Sequence, residues 1–305
     1  MGTDEDTHTH RALVRAEAVE ALTDVLADRL GDDGFRVVLL AVEATLPRVE
    51  EPAADEAGDR ESEGSEGRGG AWSRVSREEL LQEMEAAARV DPVYLAGVAL
   101  STIVAAVGLM RGDVAVIIGA MVIAPLLGPN VALSLAATLG DVELGRRALI
   151  AAAAGAAVAL ALSVGVGWAF VVDPTVPELA ARTRVGLSDV ALALAAGSAG
   201  ALAFTSGLPT TVIGVMVAVA LLPPLVATGL LAGQGLASQA MAAATLVATN
   251  VTCVNLAGVA TFLARRVGPR EWWEAERART MTRIAIGLWV ALLAALIFLM
   301  LFAWA

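Results

Sequence analysis

The chain has 305 residues, 57% of them apolar and only 17% charged, with a mean hydropathy of +0.70. A soluble domain of this length carries about a quarter charged residues, so the composition excludes an ordinary globular protein. Of the 32 acidic residues, 23 fall in residues 1–91 beside 10 arginines, whereas residues 92–305 hold nine acids and 11 arginines. An acidic, water-facing front is joined to a nearly uncharged, polytopic membrane domain.

Single residue types exclude more. All 21 basic residues are arginine, so a phosphate-loop lysine, a Schiff-base lysine and a lysine general base are ruled out. Cys253 is the only cysteine, which excludes an intrachain disulfide and a CxxC centre. The only histidines, His8 and His10, stand in a polar leading stretch and read as tail rather than metal site. No cofactor and no metal ion is expected, and the net charge of −11 disfavours nucleic acid as a partner.

No signal peptide is expected at residues 1–12, which are polar and acidic. Apolar residues from Leu13 to Leu30 recur at helical spacing, Gly31 and Gly34 break the pattern, and Phe35–Glu43 reads as a short strand. Residues 1–49 are therefore predicted as a small cytoplasmic α/β segment, too short to form a core alone, which makes a homo-oligomer plausible. Residues 50–72 are acidic and rich in Gly and Ser, an expected flexible linker. Ser76-Arg-Glu-Glu79 matches a capping box and opens a predicted juxtamembrane helix within residues 73–91.

From Pro92 the charge-free runs reach span length, which is about 20 residues. Pro92–Met110, Val114–Gly140 and Ala148–Val172 give three predicted spans. The 75 uncharged residues between Asp189 and Arg265 give three more, divided at Thr205–Pro209 and Gly233–Ser238, and Ile284–Ala305 gives a seventh. With the N-terminus cytoplasmic, the inner loops carry eight arginines (146, 147, 265, 266, 270, 277, 279 and 283) against Arg111, Arg182 and Arg184 outside. That bias places the C-terminus outside.

The most informative feature is an internal repeat. Ile118-Gly-Ala-Met-Val-Ile-Ala-Pro-Leu-Leu-Gly-Pro129 overlays Ile213-Gly-Val-Met-Val-Ala-Val-Ala-Leu-Leu-Pro-Pro224, with seven of twelve positions identical at an offset of 95. Three spans per period is an odd number, so the second copy enters the membrane from the opposite face. The expected fold class is an all-α polytopic membrane domain over 92–305. It comprises repeat one at 92–172, repeat two at 189–264 and an extra span at 284–305, preceded by the small α/β segment. Both copies carry helix breakers at membrane depth: Pro125, Gly128 and Pro129 in one, Pro223 and Pro224 in the other. Freed backbone groups at such breaks need partners from neighbouring helices, water or a ligand.

These segments carry a family resemblance. Ser101–Leu109, Ile118–Pro129, Gly214–Pro224 and Asn250–Phe262, with Arg36–Arg48 upstream, resemble the hydrophobic membrane proteins grouped as domain of unknown function 389. The resemblance covers roughly residues 35–280. It implies a multi-span protein of a bacterial or archaeal cell membrane and transfers no reaction, and members usually have a longer N-terminal region than this chain keeps.

No ionisable residue lies inside a predicted span, and Asp113 and Asp189 stand at span ends as expected caps. Without an intramembrane acid pair or histidine, an enzyme is the least supported class. What remains at depth is uncharged polarity: Asn130, Ser134 and Thr138 on one helical face, and Thr245, Thr249, Asn250, Thr252, Cys253 and Asn255 on the sixth span. Such groups either hold a small solute or ion or fasten helices together. The candidate site is therefore Pro125, Gly128, Pro129, Asn130, Pro223, Pro224, Asn250 and Asn255. The expected function is a transporter or channel embedded in a lipid bilayer. The alternative is a membrane-anchored sensor or assembly scaffold, to which the acidic linker and the basic loop Arg265–Arg283 would contribute an electrostatic latch.

Overall fold

Proline and glycine set the helix ends in the apolar region. A computed structural model describes residues 77–206, 210–268 and 272–303, together with positions 22, 25, 26 and 29. Residues Met1–Ser76 form one unit and Arg77–Ala305 another. The second runs α1 (Arg77–Ala87), α2 (Pro92–Arg111), α3 (Val114–Ile123), α4 (Leu127–Leu139), α5 (Val142–Ala169), α6 (Pro177–Ala180), a 3-10 turn at Ala181–Thr183, α7 (Leu187–Ser206), α8 (Thr210–Gly233), α9 (Ala237–Ala264) and α10 (Trp272–Ala303). There is no strand among the described residues, and the predicted strand Phe35–Glu43 and the linker 50–72 lie outside them.

The caps are local and follow from the residues. Asp91, Asp113 and Asp141 open α2, α3 and α5 by accepting backbone N–H bonds at 2.6–3.2 Å from Tyr94, Ala115, Val116 and Leu144. Asp113 is thus a helix cap, and Asp189 likewise accepts from the Gly186 N–H at 2.9 Å. Gly112 and Gly140 close α2 and α4 with φ of 66° and 71°, the left-handed region in which glycine carries no Cβ penalty.

Among the described residues, five helices are long and apolar enough to cross a membrane: α2, α5, α7, α9 and the Thr280–Phe298 stretch of α10. The pair α3 and α4, bent by 54° at Ala124-Pro125-Leu126, passes the same test only together, as one bent span or as a re-entrant pair. At the centre lies α9, packed against α4, α7, α8 and α10. Its span window is 61% buried, against 6% for that of α10 at the periphery.

Small residues allow these helices to approach closely, which is how apolar helices associate in a solvent as apolar as themselves. A Cβ on Gly197 would lie 2.5 Å from the Val254 carbonyl oxygen, pressing α7 onto α9. On Gly258 it would lie 2.6 Å from Ser134 Oγ, where α9 meets α4. Gly167, Gly229 and Gly233 similarly bring α5 and α8 into backbone contact.

Candidate functional site

The break between α3 and α4 starts from one residue. Pro125 forces Ala124 out of the helical region, to φ −71° and ψ 117°, and offers no N–H to the Met121 carbonyl. Pro129 behaves differently from the sequence expectation. It is the third residue of α4, within the first turn, where N–H groups have no intrahelical acceptor to lose. Gly128 is needed for space: a Cβ there would fall 2.8 Å from the Cβ of Ala87 at the end of α1. Leu80, Met84 and Ala88, one turn apart, bury the inner stripe of α1, which packs on α4.

One turn into α4 begins a buried polar cluster shared with α9. Asn255 Nδ2 donates to Asn130 Oδ1 at 3.2 Å and to the Val251 carbonyl at 2.9 Å. Asn130 Nδ2 donates to the Leu126 carbonyl at 2.9 Å. The Ser134 hydroxyl stands 3.0 Å from the Asn130 carbonyl and 3.2 Å from Asn255 Oδ1, so its single proton is shared among nearby oxygens. Asn130 is 6% exposed, Ser134 1% and Asn255 0%. Every side-chain oxygen in this cluster has a partner. Further along the same face, the Thr282 hydroxyl of α10 donates to the Ala137 and Thr138 carbonyls at 3.0 and 3.1 Å.

The second proline site is built another way, and here the expectation of two broken helices is corrected. Helix α8 runs unbroken through Pro223 and Pro224. Pro224 cannot donate to the Ala220 carbonyl four residues earlier, but Asn250 of α9 does, with Nδ2 at 2.7 Å. The Thr228 hydroxyl donates to the Pro224 carbonyl at 2.8 Å. A side chain from the neighbouring helix thus replaces the missing backbone donor and the helix holds. Asn250 is 4% exposed, and its Oδ1 is buried without a hydrogen-bond partner.

The eight predicted residues therefore fall into two groups joined by α9. Pro125, Gly128, Pro129, Asn130 and Asn255 gather around the α3–α4 break; Pro223, Pro224 and Asn250 gather on α8. The other polar residues of α9, Thr245, Thr249, Thr252 and Cys253, are buried, and the three threonine hydroxyls bond back to carbonyls four residues earlier.

Three residues that tie the helices were missed from sequence. Tyr94, the chain's single tyrosine, donates to the Ala151 carbonyl at 2.8 Å and would collide with any side chain at Gly155. Gln234 caps the end of α5 through the Gly167 and Phe170 carbonyls. Thr282 was passed over because it precedes the predicted last span. Uniqueness was the available signal for Tyr94; Gln234 and Thr282 looked like ordinary loop residues.

The family model described as Domain of unknown function (DUF389) matches residues 121–256, from the end of α3 through most of α9, and contains all eight candidate residues. An uncharacterised protein of Methanocaldococcus jannaschii is 34% identical over 294 residues, covering 96% of this chain and 88% of its own length. No solved structure matches the chain.

Proposed function

Because the chain belongs to the DUF389 family, whose description assigns no reaction, we propose its function from the site itself: a transporter-like or channel-like membrane protein for a small solute or ion. The observation that carries this reading is the pairing of two apolar helices bent by 54° at Pro125 with an unbroken helix that holds Pro223 and Pro224, both served by asparagines of α9. Irregular backbone inside hydrocarbon is tolerated where protein or a polar cavity satisfies it, and such positions recur where transported species bind.

In this reading α8, only part of which enters the count of apolar spans, is the seventh crossing. The 118–129 and 213–224 segments descend from an inverted three-plus-three repeat followed by an added span, α10. The arginine distribution supports a cytoplasmic N-terminus and an external C-terminus in a prokaryotic plasma membrane. The test is purification of the full chain, reconstitution into proteoliposomes and measurement of flux for a panel of ions and small solutes. Flux above protein-free vesicles is expected, reduced by Asn250→Ala; no flux for any member of the panel overturns the reading.

A second reading, a membrane-anchored sensor, is favoured by one contact. The C-terminal end of α1, the helix that follows the N-terminal unit in the chain, rests on Gly128 beside the break. Gly128→Ala would press on Ala87 and disturb that contact, since its Cβ would fall 2.8 Å from that of Ala87. Flux that survives the variant makes α1 a fixed support, whereas flux that changes with it makes α1 the moving part of a sensor.

A further inference from the structure

We infer that the site on α8 and α9 binds a dehydrated monovalent cation of the size of Na⁺ or K⁺, held by Asn250 Oδ1 and the backbone carbonyls that the two prolines leave without a helical donor. This rests on the transport reading only for its purpose; the site itself rests on its own chemistry. Asn250 Oδ1 is buried and has no hydrogen-bond partner. The orientation of the amide is fixed by its other end, since Nδ2 donates to the Ala220 carbonyl at 2.7 Å and a flipped amide would place two oxygens against each other. Oδ1 is therefore an acceptor, and a buried acceptor without a donor is unfavourable until something supplies one.

The backbone beside it has the same polarity. Pro223 has no N–H for the carbonyl of Val219, the residue preceding the acceptor that Asn250 already serves. Helix α3, which packs against α8, ends at Ile123, and Pro125 withholds a donor from Met121 in the same manner. The C-terminal end of a short helix carries partial negative charge and favours cations. Uncommitted groups here are oxygens with lone pairs, which replace the hydration shell of a cation and repel an anion.

The charge of the ion follows from what is missing. No group of three or more His, Cys, Asp or Glu residues that could hold a metal exists among the described residues. Neutral oxygens alone suit a monovalent ion, while Ca²⁺ and Mg²⁺ draw on carboxylates to offset their double charge. The Asn130–Asn255 cluster is excluded as the site because its oxygens already have donors.

The experiment uses the full chain purified in detergent and melted in NaCl, KCl or choline chloride at one ionic strength. A saturable rise in melting temperature is expected in NaCl or KCl and not in choline, with direct binding of radioactive ²²Na⁺ or ⁸⁶Rb⁺ tracking it. Asn250→Ala should weaken the apparent affinity about tenfold or more. Pro223→Ala, which returns an N–H to the Val219 carbonyl and leaves the Asn250 amide in place, should also weaken the shift, so the prediction survives even if the Asn250→Ala variant folds poorly. Asn130→Ala should leave the cation response intact. Equal melting temperatures in all three salts, or the same shift in wild type and Asn250→Ala, overturn the cation site. Salt-independent melting in a protein that shows flux overturns the site while leaving the transport reading standing. A cation shift removed by Asn250→Ala, in a protein with no flux, sustains the site and overturns transport instead.

Discussion

The α4–α9 cluster and the α8–α9 site use the same side chain for opposite purposes. Around the bent span, Asn130 and Asn255 bond to each other, to Ser134 and to their own helices, and the oxygens are satisfied. On α8, Asn250 makes one bond, to the carbonyl released by Pro224, and keeps its own oxygen unpaired. A satisfied amide in a low-dielectric interior stabilises and orients; an unsatisfied one holds free energy in reserve for a ligand. A single helix, α9, thus carries both a saturated amide pair and an amide with an unpartnered oxygen.

The largest expected effect breaks the fastening side. Gly258→Leu would place atoms where Ser134 now lies 2.6 Å from an added Cβ, driving α9 away from α4. We expect a loss of about 3 kcal/mol, at the upper end for overpacking, read as a large fall in melting temperature. A melt unchanged from wild type would mean that the two helices are not in this contact.

Next comes the pair itself. Asn255→Ala leaves Asn130 Oδ1 and Ser134 without their shared partner and should cost about 2 kcal/mol. Asn130→Ala should cost less, because Asn255 retains Val251 and Ser134. A double-mutant cycle should show coupling of about 1 kcal/mol between Asn130 and Asn255, and additivity of either with Asn250. Coupling of Asn250 to the pair would erase the distinction and restore one shared site. In choline chloride, Asn250→Ala should fall within about 1 kcal/mol of wild type, since losing the Ala220 bond is offset by removing a buried unpaired acceptor.

The two regions also differ in how far the sequence revealed them. Charge-free runs and turn residues located the divisions between α7, α8 and α9: α7 ends at Ser206, α8 opens at Thr210 and ends at Gly233, and α9 opens at Ala237. The bend at Pro125 was legible because a proline restricts its own neighbour, a local rule. The continuity of α8 was not, because the donor that rescues it comes from Asn250, 30 residues away from Ala220. The same reasoning failed for Pro129, whose consequence depends on where the helix restarts rather than on the proline. That Asn130 would meet Asn255, and Asn250 would not join them, depends on helix rotation, which apolar periodicity cannot fix when nearly every face is apolar.

Two proline substitutions sharpen the contrast further. Pro224→Ala returns an N–H to the Ala220 carbonyl, so the backbone and Asn250 Nδ2 then compete for one acceptor. Stability should hold level or rise slightly, and the cation response should fall as Asn250 loses its anchor. An undiminished response would mean that the bond to Ala220 does not orient the amide.

The smallest effect belongs to Pro129→Ala. Pro129 is the third residue of α4, and the bend of 54° arises upstream, at Ala124 and Pro125. Its ring sits in the first turn, where its fixed φ suits the helix and its missing N–H has no intrahelical carbonyl to serve. Replacing it should change stability by no more than about 0.5 kcal/mol, the range of substitutions that touch no special feature. The bend should also survive. Spin labels at Val114 and Leu139, the two ends of the bent pair, should report the same distance in Pro129→Ala as in wild type. In Pro125→Ala they should report a longer one, because the Met121 carbonyl regains its donor and Ala124 is freed to turn helical. If Pro129→Ala lengthens that distance instead, the break extends into α4, and the satisfied bonds of Asn130 are a consequence of the kink rather than a fastening independent of it.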